Sequence, residues 1–430
     1  MFVRLLNKSF VGRHGPFTRD MIIWIFNHYA ETPEGSATRS YDFCRALVQR
    51  GHSATIFACS FSHYRLREEH LASTWRLWGV EIRDGVRFVW LRGIPYRSND
   101  WRRALNMLGY GALAMLRSLA TRPGPDVVVG CSVHPCAGLA GLAVARLSGC
   151  PFFVEVHDLW PQVLIEFGRI RPHGMTAMAL RRIESVLFST SERVIMLWRN
   201  TQEYVTSRGL DAGKIVWIPH VVDPDGWISP ERDEPTGAPF VVMYLGSFVQ
   251  SMALDVVLDA ARILLAKGRN DIRLVLIGDG SERQRLVSRA RHLGLANLEI
   301  RAPVPKSAVP AVLAGADCLL CCFKNSPVYR YGLSMNKLCD YLMSDRPIIM
   351  AGTSAYDPVA EAGAGLTIPG EDSDALARAI ETMADLPQRR RVEMARRGKA
   401  WVRKYHSLPA LTDTLERTLM GRPLEGERMA

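Results

Sequence analysis

The sequence predicts an α/β chain with two doubly wound parallel sheets, one on each side of a proline-rich break. Three observations carry this. Short apolar runs alternate with helix-length segments of ten to fifteen residues, and the alternation restarts after residue 239. Between the halves, Pro224–Pro239 holds four prolines and two glycines with neither helical nor strand periodicity.

Residues 1–20 carry Arg4, Lys8, Arg13 and Arg19 without an uninterrupted apolar run, so they read as a disordered extension or a misassigned start rather than a secretory signal. Met21–Phe26 is the first strand; a helix from about Ser36 to Arg50 and the strand Ser53–Ala58 follow. Val127–Val129 leads into a small-residue helix from about Ala137, and Phe152–Val156 is the next strand. The uncharged stretch Val127–Ala145 approaches membrane-spanning length, but His134, Pro135 and the β-branched trio at its start favour strand, loop and helix. Beyond the break, strands are expected at 240–245, 273–277, 298–301, 318–323, 347–351 and 365–368. Helices are expected at 253–267, 282–293, 336–344 and 408–419. The domains follow: 21–223, a linker at 224–239, 240–400, and a C-terminal helix and tail at 401–430 that can return to the N-terminal domain.

Composition narrows the function. The 430 residues are 48% hydrophobic and 23% charged, which excludes wholesale disorder and fibrous repeats. With 54 Lys and Arg against 43 Asp and Glu, the net charge of +11 suits anionic partners. No nucleic-acid-binding module accompanies that charge, so no nucleic-acid partner is expected. The nine cysteines are scattered through apolar runs, as reduced thiols of a cytoplasmic protein are. Cys318 and Cys321 have a metal-like spacing but sit inside a strand, and no metal site is expected.

In open parallel sheets, ligands bind beyond the carboxyl ends of the strands. Four loops there are rich in functional side chains. The first, residues 27–39, has Gly35 for close backbone approach and Ser36 to cap a helix whose free amides favour an anion; a merely capped helix is the plainer reading. The second, Glu155–Pro161, carries His157 and Asp158 at a strand end, suited to proton transfer or to hydrogen-bonding sugar hydroxyls. Alternatively, Asp158 caps the next turn and His157 sits satisfied in the core. The third pairs Gly278 and Gly280 with the companion loop at Gly246, where a nucleotide could approach the backbone; a tight turn would use the same residues. The fourth is the most informative. A helix from Asn336 puts Lys337 in its first turn and Asp340 one turn later on the same face. Cation and amides would neutralise a diphosphate while the carboxylate met ribose hydroxyls; an ordinary exposed i, i+3 pair is the alternative.

The loop Tyr331–Leu342 resembles the Ser-Pro-Asn-Lys-Leu-Phe-Glu-Tyr-Met element of retaining GT-B glycosyltransferases, of the family 4-like, bacterial surface-polysaccharide type. Residues 33–39, 156–161, 218–223 and 361–366 resemble the same family in the same order. The resemblance implies a GT-B fold of two Rossmann-like domains facing a cleft, and transfer of a hexosyl or N-acetylhexosaminyl group from a nucleoside-diphosphate sugar. The acceptor would be a glycan or a polyprenyl-diphosphate-linked glycan. It implies no tightly bound cofactor, with a UDP-sugar as the expected donor. By position, Gly35 and Ser36 would lie near the donor phosphates, and His157 and Asp158 at the reacting sugar. Asn336, Lys337 and Lys324 would hold the diphosphate, and Asp340 the ribose. The departures are equally specific. Gly332 stands where the family has the first acid of Glu-x7-Glu, Val249 where a second loop glycine is common, and Met335 where proline is usual. They keep open a decayed accessory subunit that binds nucleotide or membrane; a nucleotide-sugar epimerase of similar two-domain shape is the other alternative. The segment Trp101–Arg117, apolar between arginines, is either a buried crossover helix or one lying on an anionic membrane surface at the inner face of the cell membrane.

Overall fold

The computed structural model describes residues 20–423 apart from Ser36, Thr74, Asn99, Ser229 and residues 231–236. The chain forms two compact units, the first running to Pro219 and resuming at Leu408, the second spanning His220–Ser407. The extension proposed at residues 1–20 lies, but for Asp20, outside the described residues.

In the first unit the strands are β1 (Ile22–Phe26), β2 (Ser53–Cys59), the short β3 (Phe61–Ser62) and β4 (Arg67–Glu68), β5 (Trp78–Arg83), β6 (Val86–Leu91), β7 (Val127–Cys131), β8 (Phe152–Val156), β9 (Val194–Met196) and β10 (Ile215–Trp217). Eight of them form one sheet in the order β10-β9-β8-β7-β1-β2-β6-β5, parallel except for β5, while β3 and β4 pair separately. β7 and β8 are buried along their whole length, as parallel strands covered on both faces must be. The hairpin β5–β6, absent from the sequence expectation, turns on Asp84-Gly85 with φ of +46° and +79°. Two positive φ values are what a type I′ turn demands, and Asp-Gly supplies them at little steric cost. The stretch tested as a membrane span is β7 and the helix Pro135–Ser148, and among the described residues no helix is long and apolar enough to cross a membrane.

The second unit carries β11 (Phe240–Leu245), β12 (Ile272–Ile277), β13 (Leu298–Arg301), β14 (Cys318–Cys322), β15 (Ile348–Ala351) and β16 (Gly365–Ile368). All are parallel, in the order β13-β12-β11-β14-β15-β16, the doubly wound arrangement with its switch point between β11 and β14. Cys318, Cys321 and Cys322 are buried free thiols within β14. The Arg-rich segment after Leu386 is the helix Gln388–Tyr405, with Ala395, Gly398 and Val402 on its buried side.

The breaks between the units fall at Pro219/His220 and at Ser407/Leu408 rather than at 223/224 and 400/401. Val222 donates its N–H to the His406 carbonyl and bridges Ser407, which fixes residues 220–223 to the second unit. The helix Leu408–Leu419 packs on the helix Arg39–Gln49 within the first unit. There Arg50 pairs with Asp413 and, at 2.7 Å, with Glu416, and His52 lies 3.1 Å from Glu416.

Candidate functional site

In the second unit, Gly246 follows β11 and Lys324 follows β14, so the two flank the switch point. The helix Asn336–Met343 is tied to the end of β11 through Tyr341, whose hydroxyl accepts from Leu245 N (2.7 Å) and donates to Leu245 O (2.9 Å). This brings Lys337 over Gly246. Its Nζ lies 3.1 Å from the Tyr244 hydroxyl, 3.3 Å from Met252 Sδ and 4.2 Å from the Tyr244 ring centroid. A Cβ on Gly246 would come within 3.3 Å of Lys337 Cδ, so the glycine leaves room for the lysine. Lys324 joins the same segment, its backbone N–H bonded to Ser251 O, and its side chain lines a cavity of about 230 Å3 with Gln250, Asp255, Glu282 and Arg285. Asn336 is exposed at the helix start. Met335 gives that helix no side-chain cap, and the nearby Ser334 Oγ is buried with no hydrogen-bond partner among the described residues. Leu338 N turns back to Met335 O at 3.2 Å, but a helix start without a side-chain cap, an unused hydroxyl and a lysine make a local environment that favours an anion.

The alternative readings of the third and fourth loops are resolved differently here. Lys337 and Asp340 do not pair: Asp340 is buried, and both its carboxylate oxygens are held by Lys306 Nζ at 2.7 and 2.5 Å. Gly278 and Gly280 are required by the protein itself. Their φ values are +155° and +151°, and a Cβ would stand 1.9 Å from Gly246 O and 2.4 Å from Phe248 O respectively. The loop 246–248 occupies the space left by the missing side chains, with Phe248 N bonded to Asp279 O at 2.7 Å.

The first unit has its own switch point, between β1 and β7. Gly35 is buried against Glu31, whose Cβ would be 2.4 Å from an added Cβ. Ser36 lies outside the described residues. The first helix starts at Arg39, not at Ser36, with Thr38 in the capping position. Ahead of it, Gly35 N is bonded to Thr32 O and Glu31 N to Ala37 O. His157 is partly buried, its Nε2 2.8 Å from Glu155 Oε2, while Asp158 is exposed. Glu155 is buried and receives Arg39 Nε (3.0 Å) and Nη2 (2.8 Å) on Oε1 and the Cys131 thiol (3.2 Å) on Oε2. Burial pushes its carboxyl up, but Arg39 and His157 outweigh this and hold it well below the usual carboxylate range. Asp223 and Asp225, spaced like a metal-binding Asp-x-Asp, form a local turn in which Asp223 Oδ1 accepts from Asp225 N and Gly226 N.

The residues that the sequence reading missed are Arg39, Glu155, Lys306 and Ser334. Arg39 and Ser334 lie inside the motif-like stretches already quoted, and a charged residue within an otherwise apolar strand was the available signal for Glu155. Nothing local marks Lys306, because its partner is 34 residues away.

Comparison with known proteins places this architecture. Residues 33–225 match the model of Glycosyltransferase Family 4, and residues 239–385 match that of Glycosyl transferases group 1. The chain is 24% identical over 277 residues to the probable glycosyltransferase WbjE of Pseudomonas aeruginosa, covering 61% of this chain and 66% of that protein. It is 20% identical over 291 residues to the putative colanic acid biosynthesis glycosyl transferase WcaI of Escherichia coli, covering 64% and 69%. The match thus spans just under two thirds of WbjE. Among solved structures, sucrose-phosphate synthase from Thermosynechococcus elongatus superposes with a TM-score of 0.73 at 15% identity, over 93% of this chain and 98% of that one. Anabaena HepE in complex with UDP-glucose superposes with 0.66 at 15% identity, over 93% and 100%. With one glycosyltransferase model matched on each side of the expected linker and two Rossmann-like parallel sheets, the chain has the GT-B fold class, and each half is similar to a glycosyltransferase family.

Proposed function

We propose that this protein transfers a hexosyl or N-acetylhexosaminyl group from a nucleoside-diphosphate sugar to a hydroxyl of a glycan or polyprenyl-diphosphate-linked acceptor, with retention, in bacterial surface-polysaccharide synthesis. The observation that carries this is Lys337, seated over Gly246 beside the uncapped start of its helix at the β11/β14 switch point. HepE was solved with UDP and with UDP-glucose, which supports a UDP-sugar donor here. In the proposed reaction the C1–O bond to the diphosphate breaks. Lys337, Lys324, Ser334 and the first-turn amides offset the charge that develops on the leaving group. The acceptor oxygen bonds to C1 on the same face and its proton passes to the departing phosphate. His157 and Asp158 are assigned to the sugar, Asp340, in exchange for its Lys306 contact, to the ribose, and Asn336 to the diphosphate; Gly35 and Ser36 are assigned to the donor phosphates.

Calorimetry with UDP, GDP, ADP and dTDP sugars tests the reading. Lys337→Ala should weaken donor binding about 10- to 100-fold, the equivalent of one charge-assisted hydrogen bond of ~1.5–3 kcal/mol. Wild-type affinity in that variant would remove the site. Donor turnover without acceptor would select the epimerase, and binding without transfer the accessory subunit.

The proposed place of action is the cytoplasmic face of the membrane. The helix Trp101–Leu119 is inverted: Asn106, Tyr110, Ala114 and Ser118 are buried, while Trp101 (66% exposed), Leu105, Leu108, Leu116 (65%) and Leu119 face outward. Trp78, Val80 and Ile82 continue the apolar surface on edge strand β5, where Arg117 lies 5.6 Å from the Trp78 ring. Apolar side chains with arginines around them fit an anionic lipid interface. Leu108→Ser with Leu116→Ser should reduce co-sedimentation with phosphatidylglycerol vesicles, and unchanged binding would refute the assignment.

A further inference from the structure

The penultimate residue of strand β8 is a buried acid that the reaction scheme leaves without a role. Glu155 accepts four donors: two Arg39 N–H groups on Oε1, and the Cys131 thiol and His157 Nε2 on Oε2. Arg39 itself is buried and also donates to the carbonyls of Ile218 and Pro219, so its fork is fixed from two sides. We propose that Glu155 is the positioning residue of His157, fixing the imidazole with its proton on Nε2 so that Nδ1 is presented as an acceptor to a sugar hydroxyl. This rests on the reading of His157 as the residue at the reacting sugar.

The argument is one of donors and acceptors. An ionised carboxylate only accepts, so the nitrogen 2.8 Å from Oε2 must carry hydrogen, and in the neutral ring the other nitrogen then carries a lone pair. The charge on Glu155 is secured by Arg39. Burial and the neighbouring carboxylate keep the Cys131 thiol protonated, so it too donates and does not compete for the histidine's proton. The peptide also contributes: the Trp198 indole N–H donates to the His157 carbonyl at 2.9 Å, which restrains the residue's main chain. Cys131, Glu155 and His157 offer ligand atoms within 4.8 Å of one another, a spacing a metal ion could bridge. The guanidinium on the same carboxylate and the protonated thiol both oppose a cation there.

The test reads the tautomer directly. Long-range 1H–15N correlation spectra of the full chain labelled with [15N]histidine should show His157 held as the Nε2–H form at neutral pH. In Glu155→Gln the side chain has one acceptor oxygen, which Arg39 retains, so the amide NH2 turns to His157 and the ring should invert to the Nδ1–H form. Turnover should fall at least about 10-fold, the lower end of what loss of an orienting carboxylate costs a histidine, with the donor KM unchanged. A wild-type spectrum showing Nδ1–H overturns the proposal whether or not the variant folds. So does a folded Glu155→Gln protein with wild-type turnover, or stoichiometric Zn2+ binding to the purified protein that Glu155→Gln abolishes. If the wild type is held as Nε2–H but His157→Ala transfers sugar normally, the positioning stands and the role assigned to His157 falls.

Discussion

Replacing Arg39 by alanine isolates a buried ion pair of the first unit. The two partners are nearly dry, with side chains 6% and 8% exposed, and the guanidinium supplies both donors to Glu155 Oε1 and the partners of two backbone carbonyls, Ile218 and Pro219. Removing one member of a buried pair typically costs about 3–5 kcal/mol, because the remaining charge stays desolvated. At ~2–4 °C per kcal/mol for a unit of this size, the first-unit transition should fall by about 6–20 °C. The pH dependence gives the sign. In the wild type the Glu155 carboxyl is depressed, so its stabilisation is present above the unfolded value near ~4.3 and is lost as pH falls through the lower folded value. In Arg39→Ala, burial dominates and lifts the folded value above the unfolded one, so the penalty is largest at high pH and is relieved on acidification. Calorimetric melts of both proteins at pH 8, 7, 6 and 5 should therefore show a gap that narrows as pH falls. A gap below about 1 kcal/mol, or one independent of pH, would refute the reasoning.

Three further outcomes are expected. Burial lowers His134 to about 3 and His63 to about 4, and holds His28, which also faces His134, well below its ordinary value. These histidines stay neutral in the fold while the unfolded chain takes up protons below ~6.5, so first-unit stability should fall on acidification from pH 6.5 toward 4, by up to ~1.4 kcal/mol per pH unit for each group. His134→Gln should flatten that slope in urea melts, and an unchanged slope would exclude burial as the cause. Gly278→Ala should destabilise the second unit by about 2–4 kcal/mol, from the positive φ and the 1.9 Å approach to Gly246 O; a neutral effect on the melt would contradict the packing given for the loop. Ser334→Ala should leave stability within about 0.5 kcal/mol, since its hydroxyl has no partner among the described residues, yet should weaken donor binding several-fold in calorimetry. A destabilised but tightly binding variant would reverse that assignment.

Much of the fold was legible because the signals are local. The apolar runs of β11, β12 and β14 and the helix starting at Asn336 occupy the expected residues to within one or two. The first helix starts later than its pattern suggests because the backbone of Glu31 and Gly35 is engaged by Ala37 and Thr32 ahead of Arg39. The hairpin β5–β6 went unread although Asp84-Gly85 announces it. In the helix Trp101–Leu119 the pattern was visible but its orientation was not, since periodicity locates an apolar stripe without saying whether it faces the core or the outside.

By itself, then, the sequence determined the alternation of strand and helix, the proline-rich break and the position of Lys337 in the first turn of its helix, all set by backbone propensity, side-chain period and turn chemistry within a few residues. The tertiary structure alone decided that Lys306 holds Asp340, that Arg39 meets Glu155 across 116 residues, and that Gly278 and Gly280 admit a neighbouring loop. Those outcomes depend on which strands lie side by side and on which charges burial forces to find a partner, and no local pattern encodes either.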